Sequence, residues 1–559
     1  MVKKFFKIIH KEFSGLHEAA LLLGLAALAS QVLALFRDHL LASTFGANAT
    51  LDIYYAAFRI PDLVYATIAS FVSVTVLIPF LIDKIEKKDN PGAKAFMDSI
   101  FTIFCFAMIV VSAVLYFLIP YLTKLTAPGF SPTANAELVT FTRILLLSPF
   151  FMGISNLLGS VTQSLRKFFI YALSPLLYNL GIIVGVTFFY PVMGAVGLIW
   201  GVALGAFMHL VIQLPVLLRQ GFLPGFTRQI DWKVVRKVIG ISLPRTITLA
   251  TSQISIVVLV SLASFMKAGS IAVFSFAYNL QGSPLAIVGV SYSVAAFPQL
   301  TKLFARGDKK GYLAEIGNAI RHIAFWSFIF AVLFIVLRAQ IVRIILGAGR
   351  FSWSDTRLTA ACLALFSVSV VAQSLCQLFV RAYYSAGKTQ TPLIINVLSA
   401  GLIIGLAFGL GRVYETSLVF RYFLQNILRV DDLAGTSILV LPLAFSIGLI
   451  INAILHWIFF ERDFARLPGN TWRGVWQTLA ASLLAGSGAY VALNVLQQWF
   501  NQHTALGIFS QGFSAGLVGL ATFVIILTLM KNEEVVEVGH ALSSKFWKAK
   551  TALPEQESL

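Results

Sequence analysis

One stretch decides how this chain must fold: QVLALFRDHLLASTFGANATLDIYYAAFRIPD, from Gln31 to Asp62. It places four charged residues inside or at the ends of two hydrophobic spans, namely Arg37, Asp38, Asp52 and Arg59. An ionisable side chain near a bilayer midplane costs about 2.5 to 3.5 kcal/mol even on lenient insertion scales, so these charges must face protein or water. We therefore predict a functional cluster in a protein interior. The alternative is that these charges only pair with one another to clamp helices, or reach an interface.

The composition around this stretch is that of a membrane protein. Among 559 residues, 58% are hydrophobic and 12% are charged, whereas soluble domains carry about 25% charged residues. The formal charge of +18 is concentrated in short loops between apolar spans, where Lys and Arg orient a chain in a membrane. We therefore expect no nucleic-acid partner.

No pattern in the chain points to catalysis. Zinc-finger spacing, a phosphate-binding loop and a nucleophile elbow are all missing from the sequence. Cys105, Cys362 and Cys376 lie in apolar spans without a CxxC pairing, which favours small hydrophobic side chains over disulfide partners or metal ligands. The sequence thus predicts a protein that is not an enzyme, with no catalytic residue, no metal and no cofactor.

Apolar segments long enough to cross a bilayer recur along the chain. With roughly 20 residues per span, they predict an all-α polytopic membrane protein of about 14 transmembrane helices. The centres are expected near residues 30, 68, 110, 148, 180, 205, 251, 284, 330, 370, 401, 448, 484 and 520. Basic residues cluster in alternate loops, near 84–94, 166–167, 219–237, 302–310 and 462–473. This asymmetry predicts that both termini are cytoplasmic, and that residues 1–18 form a retained amphipathic leader on the membrane surface.

Two halves of the chain repeat one another. SPLLYNLGIIVG, from Ser174, matches TPLIINVLSAGLIIG, from Thr391, so that Pro175 and Asn179 recur as Pro392 and Asn396. Two further pairs follow in the same order: Ser30-Gln31 with Ser252-Gln253, and IPFLIDKIEKKD with FPQLTKLFARGDKK. We infer two pseudo-symmetric six-helix lobes related by an axis along the membrane normal, followed by two C-terminal helices. The paired Pro and Asn residues are predicted to be structural or hinge positions of this repeat.

These signals give a domain organisation. The predicted segments are a leader at 1–18, an N-lobe at 19–220, a C-lobe at 221–437 completed by a span at 438–462, a two-helix appendage at 463–531 and a cytoplasmic tail at 532–559. Two facing lobes enclose a central cavity, and rocking one against the other gives alternating access.

Several segments resemble the MurJ (MviN) family of the multidrug/oligosaccharidyl-lipid/polysaccharide exporter superfamily. The segments are FRDHLLASTFGA at Phe36, APGF at Ala127, RKFFIYALSPLLYN at Arg166, GLIWGVALGAFMHLVIQLPVLLRQG at Gly197, GAGRFSWSDTRLTA at Gly347 and VRAYYSAGKTQTP at Val380. The resemblance implies a flippase that moves the lipid-linked peptidoglycan precursor lipid II across the bacterial plasma (inner) membrane. Its partners would be a lipid-linked glycan diphosphate, membrane lipids and, as a further class, cell-wall synthesis enzymes.

Site residues follow from this resemblance and from charge. A diphosphate head suits Arg because the planar guanidinium makes paired, charge-assisted hydrogen bonds. We expect Arg37 and Arg59 as head-group contacts, with Arg245 as a weaker third. Asp38 and Asp52 would position these arginines or couple an ion. Three neutral residues would bind sugar or peptide groups: Gln31, Tyr65 and Asn279.

The chain departs from the family pattern at these three neutral positions, where the resemblance leads one to expect charged residues. Two alternatives therefore stay open: an exporter of another polyprenyl-linked glycan, and a transport-inactive scaffold for cell-wall enzymes. A drug/cation antiporter fits less well, because a cavity for organic cations should present carboxylates.

Overall fold

The computed structural model describes residues 16–68 and 77–539, apart from 79, 83, 85, 86, 88, 166 and 503. Within these ranges, the side chains of residues 16–21, 23, 90, 241, 244 and 245 are not described. The described part of the chain forms helices and no β-strand. Most of the predicted leader, and the tail beyond residue 539, lie outside the described residues.

The α-helices, numbered here in chain order, include long spans and short segments. They are α1 Leu16–Phe45, α2 Ala49–Ala57, α3 Arg59–Thr67, α4 Asn90–Thr126, α5 Pro132–Leu145, α6 Leu147–Ser164, α7 Phe168–Val184, α8 Tyr190–Met193, α9 Ala195–Val211, α10 Leu214–Gln220, α11 Trp232–Ala263, α12 Ser270–Pro284, α13 Ser291–Ala305, α14 Lys309–Val336, α15 Arg338–Leu346, α16 Trp353–Val368, α17 Val370–Ser385, α18 Gln390–Thr416, α19 Leu418–Leu428, α20 Val440–Asp463, α21 Gly469–Leu496 and α22 Ala505–Leu529. Two π-helical turns, Gly185–Phe189 and Leu285–Val290, and one 3₁₀ turn, Thr436–Leu439, join some of them.

Hydropathy along these helices confirms an all-α polytopic membrane protein. Among the described residues, 12 helices are long and apolar enough to cross a membrane, and 13 if the pair α16 and α17, bent by 41°, is one broken span. All the predicted span centres lie inside these helices except the one near residue 68. That predicted span runs into residues 69–76, which lie outside the described ranges.

The chain divides into two compact units, each assembled from separate segments. The first unit contains the described residues that fall within Met1–Leu280, Ile345–Cys362 and Thr389–Gly448. The second contains Gln281–Ile344, Leu363–Lys388 and Leu449–Leu559. The predicted lobe boundaries were drawn from the repeat instead, and they stay a prediction.

In the first unit, the turn that joins α1 to α2 sets the direction of the first charged stretch. Gly46 adopts φ +68 there, and a Cβ at this position would lie 2.6 Å from the carbonyl oxygen of Arg350, so only glycine fits. Asn48 then caps α2 by accepting a hydrogen bond from the N–H of Leu51 at 3.1 Å. After this turn, α2 packs against neighbouring helices, and its aromatic residues Tyr54 and Tyr55 are buried.

Close helix packing also shapes the first unit. Helix α9 packs against α7 and against the π-helical turn that follows α7, and glycines meet in pairs there. A Cβ on Gly201 would lie 2.4 Å from the Cα of Gly185, and one on Gly181 would lie 2.2 Å from the Cα of Gly205. Small residues at four-residue spacing permit this approach in membrane helices. A hydrophobic core between α4 and α6 completes the unit around Met97, Phe104, Leu157 and Leu158.

The second unit is organised around α14. This helix packs against α13, α17 and α21, and its buried Ile316, Ile320 and Ile323 belong to a core shared with Phe379 and Phe460. A second core, which includes Ile329, Ala485 and Phe523, joins α14 to α21 and α22. The C-terminal helices are therefore packed against α14 within this unit.

Candidate functional site: a charged cavity in the first unit

The first unit contains a cavity of about 230 Å³ that is lined by charged and aromatic side chains. Six helices contribute to it: α1, α2, α3, α7, α11 and α12. The charged lining residues are Arg37, Asp38, Arg59 and Asp62. The tyrosines in the lining are Tyr54, Tyr55, Tyr178 and Tyr278. Two of the predicted arginines thus line one cavity, which is completed by helices far from them in sequence.

Arg37 is tied to two neighbours. Its Nε and Nη2 atoms donate to Oδ1 of Asp38 at 2.9 and 2.8 Å, and its Nη1 donates to Oδ1 of Asn179 at 3.0 Å. The Arg37 side chain keeps 19% of its surface exposed, so the guanidinium reaches the cavity while it is held in one orientation. The hydrogen bond from Arg37 to Asn179 thereby joins α1 to α7.

Asp38 is almost completely buried and has both carboxylate oxygens occupied. While Oδ1 accepts from Arg37, Oδ2 accepts from the Nδ2 atom of Asn279 at 3.2 Å, which brings α12 to the same cluster. A buried carboxylate that lacked these donors would be strongly destabilising. Asp38 thus lies against Arg37, and Asn279 lies at the cavity as a neutral hydrogen-bonding residue. The predicted role of Asp38, positioning the arginine or coupling an ion, stays a prediction.

Arg59 and Asp62 line the same cavity with fewer protein partners. The Nε of Arg59 donates to the carbonyl oxygen of Tyr55 at 3.2 Å. Its two other guanidinium nitrogens make no hydrogen bond to a described residue. The carboxylate of Asp62 likewise has no hydrogen-bond partner among the described residues, although it interacts electrostatically with Arg59. These two side chains have polar atoms available for a ligand.

Asp52 lies outside the cavity lining. It is 4% exposed, and its carboxylate accepts hydrogen bonds from the backbone N–H groups of Gly269 at 2.6 Å and Ala272 at 2.8 Å. These amides form the N-terminal end of α12, where N–H groups lack partners within the helix. The structure therefore places Asp52 at a helix cap and not beside the arginines that it was expected to position.

Two further predicted site residues, Gln31 and Tyr65, are not in the cavity lining. Gln31 is half-buried on α1, before Arg37. The hydroxyl of Tyr65 accepts a hydrogen bond from the Asn156 amide at 2.8 Å. The Tyr65 side chain packs against the core between α4 and α6. Arg245 belongs to α11, and its side chain lies outside the described set, so its predicted role stays a prediction.

The paired repeat residues have different visible contacts. Asn179 donates its Nδ2 to the carbonyl oxygen of Pro175 at 3.1 Å, one turn earlier in α7, and accepts from Arg37. Pro392 lies buried near the start of α18, and Asn396 follows on the same helix. Asn179 is thus a direct neighbour of the cavity arginine, a role that its place in the repeat did not predict.

Sequence reasoning also missed Asp62, Tyr178 and Gln253, which all line the cavity. Asp62 is the last residue of the charged stretch quoted first, and Gln253 is the repeat counterpart of Gln31. The charge of Asp62 and the repeat position of Gln253 could therefore have been used to predict these two residues from the sequence. Among the described residues, no group of three or more His, Cys, Asp or Glu side chains is arranged to hold a metal ion.

Comparison with solved structures identifies the fold. The fold matches a structure titled "Lipid II flippase MurJ, inward closed conformation" with a TM-score of 0.72 at 20% identity, covering 92% of this chain and 100% of that one. A structure titled as an inward-facing multidrug resistance MATE family transporter of the MOP superfamily matches with a TM-score of 0.63 at 15% identity, over 78% and 94% of the two chains. At these identities the comparison shows the fold alone, an all-α fold that crosses a membrane many times.

Sequence comparison then gives the family. A model described as "Lipid II flippase MurJ" matches residues 41–510. A probable lipid II flippase MurJ from Buchnera aphidicola subsp. Schizaphis graminum is 29% identical over 67% of this chain and 74% of its own length. The lipid II flippase MurJ of Burkholderia cenocepacia is 24% identical over 84% and 88% of the two chains. The chain belongs to the MurJ family of lipid II flippases.

Proposed function

We propose that this protein translocates lipid II, the lipid-linked peptidoglycan precursor, across the bacterial plasma membrane. The family supplies the cargo, and the cavity supplies groups that suit its head. The observation that carries the proposal is the pair Arg37 and Arg59 in the lining of one cavity, with two nitrogens of Arg59 that make no hydrogen bond to a described residue. A planar guanidinium makes paired hydrogen bonds to diphosphate oxygens.

The size of the cavity limits what it holds. Pockets for drug-sized ligands occupy about 300 to 1,000 Å³, and this cavity of about 230 Å³ is smaller. It therefore suits the diphosphate and the adjoining part of the first sugar, and the hydrocarbon chain stays in lipid. Tyr54, Tyr178 and Asn279 would contact the sugar through hydroxyl and amide groups.

Transport, in this proposal, follows from movement of two lobes related by the sequence repeat. Alternating access exposes the cavity first to the inner and then to the outer leaflet. The function needs no chemical step, so we propose transport without catalysis. Cell-wall synthesis enzymes as partners stay a prediction from the family resemblance.

We further propose the plasma membrane orientation with both termini in the cytoplasm, which the loop charges support. Single cysteines in a cysteine-free variant test it. Glu415, in the last turn of α18, is expected outside, and Lys310, in the first turn of α14, is expected inside. A membrane-impermeant thiol reagent added to whole cells should label Glu415→Cys only, and labelling of Lys310→Cys alone would reverse the orientation.

The cargo is tested through Arg59. Arg59→Gln should abolish transport of lipid II in proteoliposomes, because the open guanidinium nitrogens are lost. Arg59→Lys should retain part of it, because a single ammonium lacks the planar fork. Exposed Arg412→Gln, on α18, is the matched control and should transport normally. Normal transport by Arg59→Gln would remove the head-group role of this residue.

A further inference from the structure

The charges of the cavity do not all remain available to a ligand. Arg37 and Asp38 satisfy one another through two hydrogen bonds, and Asn179 and Asn279 complete their coordination. Arg59 and Asp62 keep unbonded polar atoms toward the cavity, as described above. The cavity groups whose charge has no hydrogen-bonded counter-charge in the described part of the protein are therefore one cation and one carboxylate.

These two open groups are neighbours on one helix. Arg59 and Asp62 are three residues apart in α3, a spacing that puts side chains on the same helix face. Both are half-buried and both line the cavity. Burial disfavours the ionised form of Asp62, and without a ligand the field of the Arg59 guanidinium favours it.

A diphosphate would reverse this balance. The diphosphate brings two negative charges to Arg59. These charges offset the positive charge of Arg59, which otherwise stabilises the carboxylate of Asp62 one helical turn away. A negative charge near a carboxylate disfavours ionisation. We propose that Asp62 takes up one proton when the diphosphate of the substrate binds Arg59, so that the anion and a proton enter the cavity together. This inference rests on the proposed function, because it needs an anionic head group at Arg59.

The other groups that face Asp62 do not provide a competing proton acceptor. Besides Arg59, the titratable and charged residues of the lining are Arg37 and Asp38 on α1, Tyr54 and Tyr55 on α2, Tyr178 on α7 and Tyr278 on α12. Asp38 has both oxygens occupied by donors. The tyrosines are neutral near pH 7 and already carry their protons. Among the described lining residues, Asp62 is thus the carboxylate with room for a proton.

The consequence is a coupling between pH and affinity. If binding takes up one proton, a lower pH favours the bound state, and affinity rises by at most about tenfold for each pH unit. The coupling is reciprocal, so bound substrate also stabilises the protonated form of Asp62. A diphosphate diester keeps both charges throughout the range around neutrality, so the pH dependence belongs to the protein.

Binding of purified lipid II to the full chain in detergent tests this inference. We expect the wild-type protein to bind more tightly at about pH 5.5 than at about pH 8, approaching tenfold per unit at the steepest point. In weak buffer with a pH indicator, lipid II should cause uptake of about one proton per binding event. Asp62→Asn, which resembles the protonated side chain, should bind with little pH dependence and no uptake. Asp62→Glu retains an acid and should retain both effects.

The matched control is Glu415→Gln, which changes an exposed carboxylate paired with Arg412 at 3.8 Å and should behave as the wild type. Lipid II binding to the wild type with no pH dependence and no proton uptake would overturn the coupling and leave the proposed cargo standing. Proton uptake of equal size in Asp62→Asn would also overturn it. No binding of lipid II to the wild type at any pH would overturn the proposed function itself.

Discussion

The Nη1 atom of Arg37 donates a hydrogen bond to Oδ1 of Asn179 at 3.0 Å, joining α1 to α7 at the cavity. The Nδ2 atom of the same asparagine donates to the carbonyl oxygen of Pro175. Since the amide oxygen faces Arg37 and the amide nitrogen faces its own helix, Asn179 is fixed in one orientation. A residue that appeared in sequence as a repeat marker therefore orients the principal cavity arginine.

Removing Arg37 should reduce stability as well as transport. Arg37→Ala leaves the buried Asp38 with Asn279 as its remaining hydrogen-bond donor, and breaking a buried pair typically costs about 3 to 5 kcal/mol. Thermal unfolding in detergent measures this loss. The double change Arg37→Ala with Asp38→Asn removes the unpaired charge and should recover most of the stability.

Transport separates the two roles of Arg37. If the guanidinium binds the head group, the stable double variant stays inactive in the lipid II transport assay. Recovery of both stability and transport in the double variant would instead show that Arg37 only holds helices together. Arg59 would then be the arginine that contacts the head group.

Asp52 should affect folding without affecting the head group. Its carboxylate caps α12 through Gly269 and Ala272, and hydrogen bonds to a charged group contribute about 1.5 to 3 kcal/mol. Asp52→Ala should therefore lower the unfolding temperature, and Asp52→Asn, which retains one acceptor, should lower it less. Lipid II affinity of the folded fraction should stay at the wild-type value; a selective loss of affinity would place Asp52 in the site.

The contact between α9 and the π-helical turn that follows α7 should not tolerate even a methyl group. A Cβ on Gly201 would lie 2.4 Å from the Cα of Gly185, so Gly201→Ala must separate the helices, at a cost of about 1 to 3 kcal/mol for overpacking. Gly409→Ala in α18 is the matched control, because a Cβ added there would have no neighbouring atom within 4 Å. It should be neutral or stabilising by up to about 1 kcal/mol. Equal unfolding temperatures for the two variants would contradict the close contact.

The segment after α22 should depend on a buried ion pair in the second unit. Arg321 of α14 pairs through its Nε with Glu534, and their side chains are 8% and 2% exposed. Glu534→Ala leaves the Arg321 cation with the exposed Glu533 at 3.6 Å, and should destabilise the protein by several kcal/mol. Limited proteolysis after α22 should then accelerate. Glu533→Ala, at the exposed partner, should change little.

The MurJ-like fold could be predicted well because its signals are local. Span positions follow from runs of apolar residues, and the match of Pro175 and Asn179 to Pro392 and Asn396 indicates the repeat without any tertiary information. The second predicted span extends beyond the described residues, so the count of fourteen stays a prediction. Arg37 and Arg59 were identified from the cost of a charge in an apolar span, and both line the cavity.

By itself the sequence determined that this chain crosses a membrane many times and that its embedded charges must face protein, because the bilayer imposes both conditions on each segment separately. Only the tertiary structure decided which partner each charge has. Asp38 and Asp52 are both acidic residues in the same stretch, yet one holds Arg37 and the other caps α12. Their partners lie on helices distant in sequence, and hydropathy carries no information about which helix faces meet or at what distance.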